Sequence, residues 1–131
     1  MRRLLVIVAL LAGLTATAGS AATPRATHGP LTGTWRGVLT GGAQKERITI
    51  TVNGPETAGT WKVSASCHGT LTLDSISNGY HHYLRHVASG STCAGGDIDC
   101  LMRAGANLYD TITPRPNGWS RSGTLHRVRT T

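Results

Sequence analysis

The densest run of side chains able to titrate, ligate or stack is Tyr80-His81-His82-Tyr83-Leu84-Arg85-His86. Successive side chains of a strand point to opposite faces. As a strand, this run sets His82 and His86 on one face with Tyr80 and Leu84, and His81, Tyr83, Arg85 and Val87 on the other. His82 and His86 would lie about 13 Å apart along the strand, too far to share one metal unaided, and they read as surface histidines. If the second face is buried, Arg85 needs a partner, and Asp110, Asp74 or an anionic ligand would serve. Asp97 and Asp99 share a face on a polar edge and read as solvated turn residues, not as the paired carboxylates of a glycoside hydrolase. The chain has no G-x-S-x-G elbow, no phosphate loop and no dinucleotide fingerprint. It has three cysteines, Cys67, Cys93 and Cys100, with no C-x-x-C pair. A zinc site would need a fourth ligand such as His68, which the spacing does not suggest. No enzymatic activity, no catalytic residue, no cofactor and no metal are expected.

The elements that must position these groups begin after residue 22. Arg2 and Arg3, the apolar run Leu4–Leu14 and the small residues of Thr15–Ala22 have the three-part pattern of a secretory signal peptide. The apolar run is shorter than the ~20 residues a spanning helix needs. Residues 1–22 are therefore read as a signal peptide, and the product as secreted, extracellular and without a transmembrane segment. Its removal takes the chain from 131 residues and a net charge of +7 to about 109 residues and about +5. Export permits disulfides. Three cysteines allow one intramolecular bridge and leave one thiol over.

Residues 23–30, with two prolines and a glycine, read as a flexible N-terminal arm. Short alternating runs then follow: 31–40, 46–52, 60–64, 68–73, 80–87, 98–103, 108–113 and 119–128. Asn53-Gly54 and Asn78-Gly79 are the hairpin signals, and Gly95-Gly96 marks a further turn. About eight strands with turn residues every 8–14 positions, and no sustained helical period, predict an all-β sandwich or barrel. Short connections make neighbouring strands antiparallel. An eight-stranded meander hides its edges best by closing. The alternation within each strand says that one face is buried.

The Gly33-Thr34-Trp35 start of the first strand and Arg127 on the last strand resemble the calycin group of small barrels (lipocalins, avidins and barrel-shaped protease inhibitors). In that group a basic side chain from the last strand packs on a first-strand Trp and seals one barrel end. The order of motifs over residues 31–128 resembles more closely a set of actinobacterial extracellular domains, found alone after a signal peptide or as the outer domain of membrane-anchored Ser/Thr protein kinases. The shared elements are Gly33-Thr34-Trp35-Arg36-Gly37, Gly59-Thr60, Cys67-His68-Gly69-Thr70-Leu71-Thr72-Leu73, Cys93-Ala94-Gly95-Gly96 and Gly123-Thr124-Leu125-His126-Arg127. The chain has neither the T-D-Y element of lipocalins nor the biotin-gripping set of avidins.

The resemblance implies an all-β, eight-stranded antiparallel up-and-down barrel of calycin-like type over 31–128, sealed by Trp35 and Arg127. It implies a Cys67–Cys93 disulfide. It leaves Cys100 as an extra thiol where the pattern has an apolar residue, and Ile98, Cys100 and Met102 share a face, so Cys100 is expected in the core. It turns Tyr83 inward, and Arg85 with it. Trp61, Tyr83, Arg85 and Ile112 are then the candidates to line a ligand cavity. The expected function is a secreted, non-enzymatic binding module, expected as a monomer, whose ligand is a small molecule or a cell-envelope component. The competing class is a protein-interaction module, such as a secreted protease inhibitor or a partner of an envelope kinase. No basic stripe interleaved with aromatics marks a nucleic-acid partner. The positive charge, carried by 11 Arg and 2 Lys, reads as composition bias with weak polyanion affinity as a by-product.

Overall fold

A computed structural model describes residues 23–131, and the signal-peptide assignment lies outside the described residues. Eight strands run in chain order: β1 Gly33–Gly41, β2 Gln44–Val52, β3 Ala58–Ser64, β4 Cys67–Ser77, β5 Tyr80–Val87, β6 Ile98–Ala104, β7 Asn107–Thr113 and β8 Arg121–Arg127. Each pairs antiparallel with the next, and β1 pairs with β8, closing an up-and-down barrel. Each expected strand is present within a few residues of its expected bounds.

Closure follows from the alternation. On β2, Ile48, Ile50 and Val52 are buried while their neighbours are not, and on β7 Leu108, Asp110 and Ile112 are. Eight strands enclose an interior that side chains can fill. Here Trp35, Leu39, Ile48, Ile50, Leu71, Tyr83, Leu101, Leu108 and Leu125 fill it. Glycines on the inner face make room: a Cβ on Gly69 would fall on the His86 carbonyl oxygen and press on Trp61 Nε1.

The two hairpin signals resolve differently. Asn78 and Gly79 both take positive φ, 52° and 80°, the requirement of a two-residue turn that matches strand twist. Asn53-Gly54 instead opens a longer connection. The Asn53 side chain accepts the amides of Thr57 and Ala58, and Glu56 takes the left-handed φ of 61°. A polar side chain that can imitate the backbone competes with the tight turn there.

The two barrel ends differ. At one end lie the connections β2–β3, β4–β5 and β6–β7 and the chain before β1. Trp35, fully buried, donates from Nε1 to the Leu31 carbonyl at 2.7 Å. Arg127 stacks on its ring at 4.3 Å and Arg103 at 5.0 Å. Gly33 makes the approach of Arg127 possible, since a Cβ there would overlap the guanidinium. Glu56 accepts the Leu31 amide at 2.6 Å, and Tyr83 donates to the Glu56 carbonyl at 2.6 Å. The arm 23–30 holds no strand but is tied here: the Thr27 amide donates to the Arg103 carbonyl, and Thr27 Oγ1 accepts the Gly105 amide. The opposite end is the mouth.

Candidate functional site

The mouth is built from the second half of each odd-numbered strand and the start of each even-numbered one. Two connections fold over it, residues 88–97 and 114–120. The first is stapled by the Cys67–Cys93 disulfide, whose Cα atoms are 5.3 Å apart. A bridge closing a loop of 26 residues contributes about 3 kcal/mol, mainly by restricting the unfolded chain. The second is tied to the first, since the Arg115 amide donates to Asp97 Oδ1 at 2.9 Å and the Arg115 guanidinium to the Ala94 carbonyl at 3.2 Å.

Under these loops lies a cavity of about 400 Å³. Glu46, Trp61, Arg85, Asp97, Trp119 and Arg121 form its working surface. Arg85, on the inner face of β5, donates through Nε and Nη2 to the two oxygens of Asp99 and through Nη2 to Glu46 at 3.2 Å. Its guanidinium also stacks on Trp61 at 4.7 Å. Arg121, at the start of β8, reaches both Glu46 and Asp97 at 3.0 Å and stacks on Trp119 at 4.7 Å. The result is two Trp–Arg stacks joined through Glu46, with Asp97 and Asp99 on the outer sides. Burial works against the Arg85 charge, but Asp99 outweighs it and raises the pKa further above the ordinary value. Burial likewise works against the Asp97 charge. The Arg115 amide and the Arg121 guanidinium prevail and hold its pKa below the ordinary value.

Of the candidate lining residues, the structure brings Trp61 and Arg85 together at the mouth. Tyr83 and Ile112 face the same interior but are packed in the core beneath the cavity. Burial, with Glu56 beside it, pushes the Tyr83 hydroxyl up to about 12. Three sequence expectations are corrected. Asp97 and Asp99 are not solvated turn residues: they are 4 % and 0 % exposed, drawn inside by the guanidiniums that neutralise them. Asp99 and Glu46, not Asp110 or the exposed Asp74, are therefore the direct partners of Arg85. Cys100 is buried but not in the barrel interior. Asp99 and Leu101 take the inner face of β6, and Cys100 lies on the other face against His82 Nδ1 at 3.2 Å. Burial raises its thiol pKa.

Behind the cavity sits Asp110, fully buried. Neither of its oxygens meets a hydrogen-bond donor of the described residues. Burial, then the neighbouring Asp99 charge, pushes its pKa well above the ordinary value. Asp110 does not line the cavity, so its proton is not placed to reach a molecule held there. It is placed to make stability depend on pH. An acid whose pKa is raised on folding contributes fully below its unfolded value, here 3.8, and its contribution falls as pH rises toward the folded value. Asp97 has the opposite sign, its contribution being lost only as pH falls below the same range. Asp110→Asn, which keeps the shape and removes the titration, is expected to raise the thermal midpoint at pH 7–8 and leave it nearly unchanged near pH 4. A melting series across that range checks this, and parallel curves for the two proteins would contradict it.

Among the described residues, no group of three or more His, Cys, Asp or Glu is placed to hold a metal ion, and no helix is long and apolar enough to cross a membrane. Comparisons with protein-family models, with curated proteins and with solved structures returned no match.

Proposed function

We propose that the protein is a secreted, non-enzymatic binding module of calycin-like type that holds a small polar molecule of the cell envelope or its surroundings in the barrel mouth. The observation that carries this reading is the mouth itself: a cavity of about 400 Å³ with two tryptophans and a ring of ion pairs, set on a fully packed barrel. Its size falls within the range of small-molecule sites. Its chemistry narrows the class. Arg85 and Arg121 are already neutralised by Glu46, Asp97 and Asp99, so the mouth carries no strong excess charge to attract an ion. Fixed donors and acceptors beside aromatic faces suit an uncharged, polyhydroxylated ligand, the class to which sugars belong. Arg121 supports this: its side chain is 3 % exposed and is held by Glu46 and Asp97, so the polar groups of the mouth are fixed before a ligand arrives.

The competing reading, a module that binds another protein through its outer surface, rests on the filled core below the mouth. Native mass spectrometry of the protein recovered from culture supernatant separates the two. A retained adduct of small-molecule mass, released on unfolding and lost in Arg121→Gln, supports the mouth ligand. A bare mass, together with no change at mouth residues in an NMR titration with mono- and disaccharides, overturns it.

A further inference from the structure

The barrel segregates its charge. Of six carboxylates, Glu46, Asp97, Asp99 and Asp110 point into the mouth layer, and Glu56 sits at the sealed end near His81. Asp74 alone is exposed on the surface. The four inward acids outnumber Arg85 and Arg121, so the outer wall is more basic than the net charge of the chain indicates.

The basic residues gather on the outer face of β1–β3. Arg36, Lys45, Arg47 and Lys62 are all exposed, and none forms an ion pair with a described residue, whereas Arg85, Arg115 and Arg121 all do. Strand register sets them in one group. Arg36 and Lys62 flank Thr49 from either side, and Arg36 Nε donates to Thr49 Oγ1 at 3.2 Å. Arg47 and Lys45 continue along β2 from Thr49, on the same face, at intervals of about 7 Å. Two shallow depressions, of about 520 and 320 Å³, meet at Arg47. Asp74 is remote, six residues along β4 from His68, the residue opposite Lys62, or about 20 Å. A second basic group, Arg103 and Arg127 at the sealed end, is engaged on Trp35.

We infer that this face of β1–β3 is a docking surface for an extended polyanion, a flexible chain bearing repeated phosphate groups. Charge complementarity decides the class: four free cations with no acid among them recruit anions, and binding is driven by release of the polymer's counterions. The shape decides for a chain over a bilayer. The cations follow a diagonal from Lys62 through Arg47 to Lys45 on a convex wall, and the only large apolar side chain exposed beside them is Val38, with no aromatic to enter a headgroup layer. The surface is separate from the mouth, so the inference does not depend on the ligand proposed there.

The test uses linear inorganic polyphosphate, titrated calorimetrically at several salt concentrations, with phosphatidylglycerol vesicles as a second arm. Four neutralised phosphates on a single-stranded polyanion give a log–log salt slope of about −2.8, or roughly 50-fold weaker binding at 200 mM than at 50 mM salt. Arg36→Gln/Arg47→Gln is expected to weaken binding at least tenfold and to halve the slope. Arg25→Gln/Arg129→Gln removes the same charge from exposed positions elsewhere and is expected to change binding less than twofold. Melting curves confirm that both variants fold. Equal losses in the two variants would reduce the effect to net charge and overturn the site, as would binding to vesicles without binding to the polymer.

Discussion

Arg85→Met lowers the unfolding free energy by about 3–5 kcal/mol, the cost of removing one partner from a buried ion pair. The side chain is 3 % exposed and Asp99 is 0 % exposed, so Asp99 would be left charged, without its two guanidinium bonds and with Asp110 beside it. Glu46 would keep Arg121 but lose its second cation. The loss therefore belongs mainly to the stranded carboxylate, and a second substitution shows it. Arg85→Met/Asp99→Leu removes both charges and fills the space, and exchanging a buried pair for apolar residues is often neutral or stabilising. Urea unfolding of the two variants is expected to place the double variant within about 1 kcal/mol of the parent. A single variant within 1 kcal/mol of the parent would show that Asp99 is solvated in solution. If the single variant does not fold at all, recovery of a cooperative transition in the double variant still identifies Asp99 as the cause. Arg85→Lys does not substitute, because an ammonium group cannot make the two parallel bonds to Asp99 and stack on Trp61 together.

The barrel was legible because its signal is repeated eight times. Alternation in residues 46–52 or 108–113 assigns an inner face without reference to any other strand, and short connections leave little choice of topology. The mouth was legible only in part, for a physical reason. A charged residue in an alternating run is ordinarily a surface residue, which is what the sequence leads one to expect of Asp97 and Asp99. They are buried because Arg85 and Arg121, from β5 and β8, arrive beside them. No local pattern records an ion pair between strands far apart in sequence. A faint trace does exist. Glu46 is in phase with Ile48 and Ile50, Asp99 with Leu101, Asp110 with Leu108 and Ile112, and Arg121 with Leu125. One in-phase charge is noise, whereas both signs in phase with the core on several strands of one barrel predict an internal network. Phase also decides Cys100: it alternates with Leu101, a core residue, and so belongs to the opposite face. At the sealed end, Trp35 and Arg127 could be named from the two terminal strands. Arg103 carries the same trace, in phase with Asp99 and Leu101 at the sealed end of β6, but no local pattern records that it meets the Trp35 ring from another strand.

Arg103 makes the sealed end a sharper test than a one-partner closure would be. Trp35→Ala is expected to cost about 4–5 kcal/mol, at the upper end for truncating a buried Trp. The ring is fully buried, its indole N–H is bonded to Leu31, and both guanidiniums rest on it. The two stacks are unequal in a way that distances alone would misjudge. Arg127 is nearer, at 4.3 Å, but exposed, and it also donates to the Thr32 carbonyl at 2.9 Å. Arg103 is farther, at 5.0 Å, but less exposed, and its Nε and Nη1 have no hydrogen-bond partner among the described residues. A cation–π contact is worth about 0.5–1 kcal/mol at an exposed site and about 2 kcal/mol when desolvated. Double-mutant cycles measured by denaturant unfolding, pairing Trp35→Leu with Arg103→Gln and with Arg127→Gln, are therefore expected to give the larger coupling for Arg103. The reverse order would mean that Arg103 stays hydrated and that Arg127 alone seals the barrel.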